Sequence, residues 1–441
     1  VQLANPDTVQ LANPDTVQPV DLQECVDNYK QRILDRPRAP DINYIPNVAL
    51  DDLHVDVIIH TGRSQYKFSE NMKRHEIYDV YMKVPETSVR LEEIKDLFYP
   101  NEDTNGVTPR RILVIGRPGI GKTVLTEKII SDWARGIDEY YFDKIALFFK
   151  FRWFNIDKLA NLSLKEFLQI GTRYISEEPF GRVFEDITKE PQKAILIFDG
   201  LDEFNGNLFS YFYQSEVIPN DPDTCMSGIN LFIKITLGSF LQGATVLVTS
   251  RPTTQDFCPK LDFNRNVEII GFTKNKIEEY ANRFCDNINR SDLQPKIWNH
   301  ISSSSDLLNL CYIPANCFVL CVTLSGCLGD QESDVALPTT LTELYQAAVD
   351  HFEKRHCRNV EGNRYRYAAV TLWKLEQISY RGMKNGQLIF NQESFDEHMK
   401  MSGLVSPLSN PIFPIQTQFC FIHLTIQEFL AAKHVTETFA P

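Results

Sequence analysis

Short apolar runs alternate with helix-like spacing of apolar residues across the middle of the chain. Each run is typical of a buried strand, and the stretch between two runs repeats its apolar residues at the helical period. The runs are RILVIG, KIALFFKF, AILIF, TVLVTS and VEIIG. Strands that alternate with helices form parallel sheets joined by crossover helices. The pattern therefore predicts an α/β fold built on a parallel sheet, with a helix over residues 121–135 directly after the first strand.

The N-terminal part of the chain carries a weaker pattern. The chain opens with the octet VQLANPDT twice and then VQ. Two short polar copies cannot stack into a solenoid, so we interpret residues 1–20 as a disordered lead. Residues 21–34 and 89–98 have helical spacing, and residues 52–60 alternate like a strand. We assign residues 21–105 to one segment that precedes the sheet domain.

Beyond the last apolar run, helical spacing dominates. The predicted helices cover residues 275–288, 306–328, 341–357, 366–381 and 424–437. Between the last two helices, GQLIFN and PIQTQFCFIH predict a short hairpin, and helices with a small hairpin suggest a winged-helix module. We therefore assign residues 106–272 to the sheet domain, residues 273–335 to a helical domain and residues 336–441 to a winged-helix domain.

The charge and the apolar content exclude several classes of partner. The 441 residues carry a net charge of -13 and a pI of about 5.3, and an acidic surface repels the phosphate backbone of nucleic acids. No apolar run reaches the roughly 18 residues that cross a bilayer, and the first residues lack the basic and apolar regions of a signal peptide. We expect no nucleic-acid partner, no membrane span and a cytoplasmic location.

The number and spacing of the cysteines also fit the expected cytoplasmic location. Ten Cys are present and none forms a C-x-x-C motif, which is the usage expected in a reducing environment. Cys317 and Cys321 have the spacing of one helical face, so they could form a metal pair or act as small buried apolar residues. Their apolar surroundings favour burial.

A phosphate-binding motif follows the first strand. The sequence GRPGIGKT matches G-x-x-x-x-G-K-[ST] and lies between the strand RILVI and a predicted helix, which is the context that the motif requires. Its glycines allow backbone N–H groups to surround phosphates, and the helix N-terminus adds the positive end of its dipole. Lys122 is placed to reach the β- and γ-phosphates, and Thr123 to bind Mg²⁺. The predicted nucleotide-binding residues of this motif are Gly116, Arg117, Pro118, Gly119, Ile120, Gly121, Lys122, Thr123 and Val124.

An acidic motif follows the strand AILIF. In AILIFDGLDE the buried strand delivers Asp199 to its carboxyl end, where a carboxylate can hold Mg²⁺, usually through water. Asp202 and Glu203 follow, and either acid can orient or activate a hydrolytic water. A surface acidic turn is the alternative for this motif alone, and the upstream phosphate-binding motif favours the metal site.

An arginine follows the strand TVLVTS. The sequence TVLVTSRP places Arg251 at the carboxyl end of a buried strand, where it can sense a γ-phosphate. Ligands of open α/β sheets bind outside the carboxyl ends of the strands. Lys122, Asp199 and Arg251 are therefore expected at one edge of the sheet. An arginine that only caps the strand or forms a salt bridge is the alternative.

Together these motifs resemble the NACHT domain of the NOD-like receptors, which are STAND NTPases. The similarity rests on GRPGIGKT, IFDGLDE, LGSFLQGATVLVTSRP and VEIIGFTKNKIEEYANRF, and FCFIHLTIQEFLAA is similar to the winged-helix signature of that family. The match covers about residues 110–437. Residues 21–105 look like the adaptor segment that precedes NACHT domains in invertebrate members, and no leucine-rich repeats are visible in the sequence.

The resemblance implies an innate-immune signalling switch that binds ATP or ADP with Mg²⁺. It implies that His423 of the winged-helix signature contacts the β-phosphate of ADP, and that Pro314, in CYIPANCF, packs on adenine. ADP would hold a closed state, and ATP would allow self-association and signalling to an unknown protein partner. Slow ATP hydrolysis, with Asp202, Glu203 and Arg251 as the catalytic residues, would reset the switch.

Other functional classes are compatible with the same motifs. A faster ATPase of the AAA type is the main alternative, and a nucleotide-dependent scaffold is another, although the intact acidic motif favours an active site. A GTPase is disfavoured because NKIE at residues 275–278 lacks the Asp of the guanine-reading motif N-K-x-D. The nucleotide that copurifies and the turnover rate would separate these classes.

Overall fold

The fold is known from a computed structural model. The described residues are 22–35, 54–61, 88–155, 159–172, 175, 177–254, 256–329, 337–358, 364–388, 390–402, 404–408, 418–421 and 424–439. The predicted lead at residues 1–20 and the side chain of His423 lie outside these ranges. No described helix is both long and apolar enough to cross a membrane.

A seven-stranded sheet forms the centre of the fold. Its strands are β1 (Ile58–Thr61), β2 (Arg90–Leu91), β3 (Arg111–Ile115), β4 (Ile145–Lys150), β5 (Ala194–Asp199), β6 (Thr245–Ser250) and β7 (Arg265–Gly271). They lie in the order β2-β1-β7-β3-β6-β5-β4. The strands from β3 to β7 run parallel, which confirms the predicted α/β sheet. Because β3 is the neighbour of β6, the carboxyl ends of these two strands are adjacent. The phosphate-binding motif after β3 therefore lies beside the end of the TVLVTSRP motif.

Helices connect these strands and cover the sheet. They are α1 (Leu22–Leu34), α2 (Lys122–Arg135), α3 (Leu164–Gly171), α4 (Glu177–Lys189), α5 (Leu208–Val217) and α6 (Gly228–Thr236). Every residue of β4, β5 and β6 is buried, as expected for parallel strands that are covered on both faces. Local sequence sets some helix starts: α3 begins with a capping box between Ser163 and Glu166.

The upstream segment extends the sheet. Strand β1 pairs antiparallel with β7 and β2, and α1 packs against α2 and α4. The predicted helix over residues 89–98 is wrong, because the structure has β2 and a short 3₁₀ helix, Ile94–Leu97. The buried guanidinium of Arg265 donates to the carbonyl oxygens of Asp96 and Leu97. These bonds take acceptors that a continuous helix would use for its own N–H groups.

A set of helices follows the sheet. They are α7 (Lys274–Asn287), α8 (Gln294–Ser303), α9 (Ser305–Cys311) and α10 (Pro314–Gly329). The single helix predicted over residues 306–328 is wrong, because the chain breaks at residues 312–313 and a new helix begins at Pro314. Proline suits the first turn of a helix and lacks the N–H that the interior requires. These helices pack into a second hydrophobic core, separate from that of the sheet.

The cysteines of interest lie inside this second core. Cys311, Cys317 and Cys321 are fully buried. Among the described residues, no group of three or more His, Cys, Asp or Glu could hold a metal ion. Cys317 and Cys321 are packed among the apolar side chains of this core.

The C-terminal part combines helices with a small sheet. Its elements are α11 (Leu341–Arg358), α12 (Arg364–Asn385), β8 (Phe390–Asn391), α13 (Glu397–Met401), β9 (Val405–Leu408), β10 (Gln418–Phe421) and α14 (Leu424–Phe439). Strand β10 pairs antiparallel with both β8 and β9, so the predicted hairpin gains a third strand. Lys433 of α14 pairs with the buried Glu376 of α12 at 3.0 Å. The arrangement is compatible with a winged helix, which stays a prediction.

Candidate functional site

The phosphate-binding loop is a turn between β3 and α2. The backbone N–H of Gly116 donates to the carbonyl oxygen of Ser250 at 3.0 Å, which fixes the start of the loop against β6. Gly121 has φ +107°, a conformation that favours glycine, and α2 begins at the next residue. The free N–H groups of a helix N-terminus attract anions. The loop backbone therefore has the shape and the polarity that a phosphate group requires.

The other loop residues have different surroundings. Ile120 is fully buried and anchors the loop in the core of the sheet domain. Pro118 is partly exposed within the turn, and the Val124 side chain is 39% exposed in the first turn of α2. Any contribution of Ile120 to a nucleotide would therefore come from its backbone, whereas the Val124 side chain is open to solvent.

Lys122 lies among the charged residues that the sequence predicts. Its Nζ donates to the carbonyl oxygens of Gly116 and Arg117, at 2.7 and 3.1 Å. Burial lowers the pKa of Lys122, and the neighbouring carboxylates of Asp202 and Asp199 oppose that shift in part. The ammonium group is thus held inside the loop, within electrostatic range of the acidic motif.

The hydroxyl of Thr123 and the carboxylate of Asp199 face each other. Thr123 Oγ1 donates to Asp199 Oδ2 at 2.8 Å, and Thr249 Oγ1 donates to Asp199 Oδ1 at 2.7 Å. Thr249 Oγ1 also accepts from the N–H of Gly200 at 2.8 Å. Adjacent oxygen ligands of an octahedral Mg²⁺ at about 2.1 Å lie roughly 3.0 Å apart. The oxygens of Thr123 and Asp199 therefore fit a shared Mg²⁺, and Thr249 fixes the carboxylate.

Asp202 is paired with Arg251 at the end of β6. Asp202 Oδ2 lies 2.8 Å from Arg251 Nε, and the backbone N–H of Arg251 donates to Asp202 Oδ1 at 2.9 Å. The arginine is therefore oriented by the acidic motif of the neighbouring strand. Both oxygens of Asp202 are used in this pairing.

Glu203 lies in a different environment from Asp202. Its carbonyl oxygen accepts from Asn155 Nδ2 at 2.8 Å, and Asn155 Oδ1 accepts from the N–H of Asn205 at 2.9 Å. Burial raises the pKa of the Glu203 carboxyl, and the positive charge of Arg152 opposes the shift. Within the described part of the chain, this carboxylate has no hydrogen-bond donor. It is the acid of the motif that is most available to a water molecule.

The helical part of the chain reaches the phosphate-binding loop at the start of α10. The N–H of Ala315 donates to the carbonyl oxygen of Gly119 at 3.2 Å, and Arg117 Nη1 donates to the hydroxyl of Tyr312 at 3.1 Å. Pro314, the first residue of α10, lies between these two contacts in the sequence. The structure therefore brings the predicted adenine contact to the loop.

Gly271 at the end of β7 makes this approach possible. It has φ +109°, and a Cβ at this position would lie 2.1 Å from the carbonyl oxygen of Tyr312. That carbonyl oxygen accepts from the N–H of Phe272 at 2.9 Å. A side chain at position 271 would displace the segment that contacts the loop.

Sequence reasoning missed the residues that position the predicted groups. Thr249 stands at the polar end of TVLVTSRP, and that polarity inside a buried strand was a usable signal. Tyr312, Asn155 and Arg152 belong to no recognisable motif, so only the folded chain reveals their contacts. The predicted contact of His423 lies outside the described residues.

Comparisons with known proteins identify sequences that are similar to this chain. Residues 110–287 match the family model of the NACHT domain. Protein NLRC5 of Homo sapiens is 27% identical over 350 residues, which cover 78% of this chain and 17% of that protein. NACHT, LRR and PYD domains-containing protein 3 of Bos taurus is 25% identical over 382 residues, which cover 83% of this chain and 35% of that protein. This chain thus spans well under half the length of these curated relatives.

Among solved structures, similarity was found to a Walker-type ATPase. The Walker-type ATPase of Pyrococcus abyssi covers 76% of this chain and 96% of its own chain. The TM-score is 0.34 and the sequence identity is 13%.

Proposed function

Because this chain belongs to the NACHT-domain NTPases of the NOD-like receptor family, we propose that it is a nucleotide-operated signalling switch. The switch binds ATP or ADP with Mg²⁺, is closed with ADP and open with ATP, and self-associates when open. It hydrolyses ATP slowly, as a reset. We propose further that it acts in the cytoplasm, as part of an innate-immune receptor that signals to a protein partner.

The contacts between the phosphate-binding loop and α10 carry this proposal. Gly119 and Arg117 of the loop are hydrogen-bonded to Ala315 and Tyr312 of the helical part. A ligand shifts an equilibrium between two states only through different affinities for them. The loop is bonded to a neighbouring domain, so the position of its backbone depends on where that domain lies. In our proposal, this dependence gives the nucleotide different affinities for the closed and the open state.

Each binding residue has a role that its position supports. In our proposal, the loop backbone and Lys122 hold the phosphates, and Thr123 and Asp199 hold Mg²⁺. Pro314 packs on the adenine base, since it begins the helix whose next residue is bonded to the loop. Bound Mg²⁺ would neutralise phosphate charge, while Thr249 keeps the Asp199 carboxylate oriented.

The ion pair of Arg251 supports slow hydrolysis. To speed hydrolysis, Arg251 has to interact with the γ-phosphate and stabilise the charge that develops there in the transition state. Its Nε is already bonded to Asp202. We propose that the phosphate and Asp202 compete for Arg251. Glu203, which has no donor within the described residues, is the base that activates water.

The C-terminal part is proposed to act as the latch. We propose that residues 336–441 form a winged-helix domain whose His423 contacts the β-phosphate of ADP. A phosphate contact from a separate domain strengthens the closed state only while ADP is bound. Opening of this domain would then expose surfaces for self-association.

Nucleotide retention and turnover test the proposal. The chain is purified without added nucleotide and denatured, and the released nucleotide is identified by ion-exchange chromatography, with Lys122→Ala as the control. We expect ADP at close to one molecule per chain from the wild type, far less from the variant, and ATP turnover well below about 1 s⁻¹. An empty wild-type chain that turns over ATP at about 10 s⁻¹, a typical enzyme rate, would instead favour the AAA-type alternative.

A further inference from the structure

A polar cavity lies where three parts of the chain meet, and none of the predicted nucleotide-site residues lines it. Asp56 and Glu93 line it from the upstream segment, Asp132 from α2, and Arg283 from α7 of the helical part. Its volume is about 410 Å³, which is within the size range of pockets for small molecules. We call it the junction cavity.

The hydroxyl of Tyr141 is the distinctive group of the junction cavity. Tyr141 ends the 3₁₀ helix Glu139–Tyr141, lines the cavity and is only 1% exposed. Its hydroxyl has no hydrogen-bond partner among the described residues. Burial, reinforced by the charges of Asp132 and Asp138, raises the pKa of Tyr141, so the hydroxyl stays protonated at neutral pH. A buried polar group without a partner destabilises a fold, so this hydroxyl favours a ligand that bonds to it.

Carboxylates outnumber cations around the junction cavity. Each Lys or Arg side chain in its described lining is paired with a carboxylate. The pairs are Lys95 with Glu93, Lys128 with Asp132, and Arg283 with Glu279. Asp138 and Asp56 are two further acids, and the contact of Asp56 with His54, at 3.7 Å, is ionic only if His54 is protonated. Even with a charged His54 the carboxylates are in excess, so the cavity favours a cation.

We propose that the junction cavity binds a small aliphatic amine. An ammonium group has three N–H donors and no acceptor, so it can donate to the Tyr141 oxygen and to a carboxylate at the same time. The methylene groups of the amine can lie against Ile94 and Ile137, which also line the cavity. A metal ion is the other common cation, but no group of three or more His, Cys, Asp or Glu in the described ranges could hold one.

A ligand at this site would also influence the nucleotide switch, and this part of the inference rests on the proposed function. Lys128 lines the cavity and follows Lys122 by six residues, which is about 9 Å along the axis of α2. An amine bound between α2, α7 and the upstream segment favours the arrangement of these parts that the structure shows. Because a ligand stabilises the state that it binds best, bound amine should slow the release of ADP.

Titration calorimetry with cadaverine, a linear diamine, tests the site on the purified, ADP-loaded chain. The wild type should bind cadaverine, whereas pentanediol, which has the same carbon chain but no charge, should not bind. Tyr141→Phe should weaken cadaverine binding at least about tenfold, because it removes a hydrogen bond to a charged group. Asp56→Asn should weaken it only about two- to fivefold, since the Asp56 side chain is 56% exposed.

Two matched variants control for folding and for surface charge. The hydroxyl of Tyr140 is bonded to Thr245 Oγ1 at 2.9 Å, and Tyr140 does not line the cavity. Tyr140→Phe should therefore lower the melting temperature and leave the cadaverine affinity unchanged. Tyr141→Phe should not lower the melting temperature, because the hydroxyl that it removes has no partner in the described chain. Glu185→Gln, which removes an acid 69% exposed on α4, should also leave the affinity unchanged.

The outcomes separate the amine site from the switch. A wild type that binds no cadaverine overturns the site, and so does wild-type affinity in Tyr141→Phe, which would show that the amine is held elsewhere on the acidic surface. Equal binding of pentanediol overturns the assignment of an amine as the ligand.

The dissociation rate of ADP tests the link to the switch. Saturating cadaverine should slow ADP dissociation from the wild type at least about fivefold. An unchanged rate, with amine binding that depends on Tyr141, overturns the link and leaves the site. A wild type that binds no nucleotide contradicts the proposed function itself, while its cadaverine affinity can still be measured and still decides the site.

Discussion

The carboxylate of Asp202 holds Arg251 through both of its oxygens. One oxygen lies 2.8 Å from Arg251 Nε and the other accepts the backbone N–H of the same residue at 2.9 Å. The two acids that end the DGLDE motif are therefore not equivalent. Asp202 positions the arginine, while the partly buried carboxyl of Glu203 has a raised pKa and no donor within the described part of the chain.

Glu203→Gln should slow ATP hydrolysis and leave nucleotide affinity nearly unchanged. The substitution removes the candidate base but keeps the loop, Lys122 and the Mg²⁺ ligands, and a positioned general base contributes about 10²- to 10⁴-fold. Single-turnover hydrolysis and the dissociation constant for ADP are measured on the same preparation. Asp202→Asn is the comparison, and it should also disturb Arg251. Wild-type hydrolysis by Glu203→Gln would show that Glu203 is not the base and would make Asp202 the next candidate.

Lys122→Ala and Lys122→Arg should weaken the binding of ADP and ATP sharply. A charge-assisted hydrogen bond contributes about 1.5–3 kcal/mol, so we expect a loss of about 10- to 150-fold for the alanine variant. Arginine keeps the charge but not the compact shape that fits inside the loop. Isothermal titration of the nucleotide-free chain measures the affinity. The exposed Lys189→Ala serves as the control, and undiminished affinity of the Lys122 variants would contradict the phosphate-binding role of this loop.

Thr249→Val should weaken Mg²⁺-dependent nucleotide binding, although Thr249 is fully buried beneath the loop. Valine has a similar volume but leaves Asp199 with one donor fewer and the N–H of Gly200 without its acceptor. An unsatisfied buried group costs about 1–3 kcal/mol. Nucleotide affinity is measured by titration in the presence of Mg²⁺ and again in the presence of excess EDTA. A loss of affinity that appears only with Mg²⁺ is due to the metal site and not to general instability.

A matched threonine provides the control for this substitution. Thr236 Oγ1 donates to the carbonyl oxygen of Phe232 within α6 and is also buried. Thr236→Val should leave the Mg²⁺ dependence unchanged, whereas Asp199→Asn should reduce it. Equal Mg²⁺ dependence in Thr249→Val and Thr236→Val would show that Thr249 does not position the metal ligand.

Gly271→Ala should loosen the contact between the loop and α10. The added Cβ would lie 2.1 Å from the Tyr312 carbonyl oxygen, in a backbone conformation that L side chains rarely adopt. We expect a lower melting temperature and faster ADP dissociation, both measured on the purified chain. Gly243→Ala, which also has positive φ but no atom within 4 Å of the new Cβ, should lower the melting temperature without changing the dissociation rate. The same ADP dissociation rate in both variants would argue against coupling through Tyr312.

His423→Ala should release ADP faster and promote self-association without unfolding the chain. The proposed contact with the β-phosphate contributes about 1.5–3 kcal/mol, and about 1.4 kcal/mol is enough for a tenfold change in the closed population. Thermal melting with and without ADP is compared with the ADP dissociation rate. A histidine that only packs in the core would instead lower the melting temperature equally in both conditions and leave dissociation unaltered.

The sequence by itself determined the parallel strands, the phosphate-binding loop and the acidic motif. Each depends on residues that are close together in the chain: a buried parallel strand is a continuous apolar run, and a loop between a strand and a helix is set by its own glycines. For this reason Lys122, Asp199 and Arg251 were expected correctly at one edge of the sheet.

Only the tertiary structure decided how these groups are paired and connected. The bond between Arg251 and Asp202 spans 49 residues, and the bonds of Arg265 to the upstream segment span more than 160. The break before Pro314 and the contact of α10 with Gly119 likewise depend on groups far apart in sequence. Apolar periodicity records which face of an element is buried, but it does not record which distant donor each buried acceptor meets.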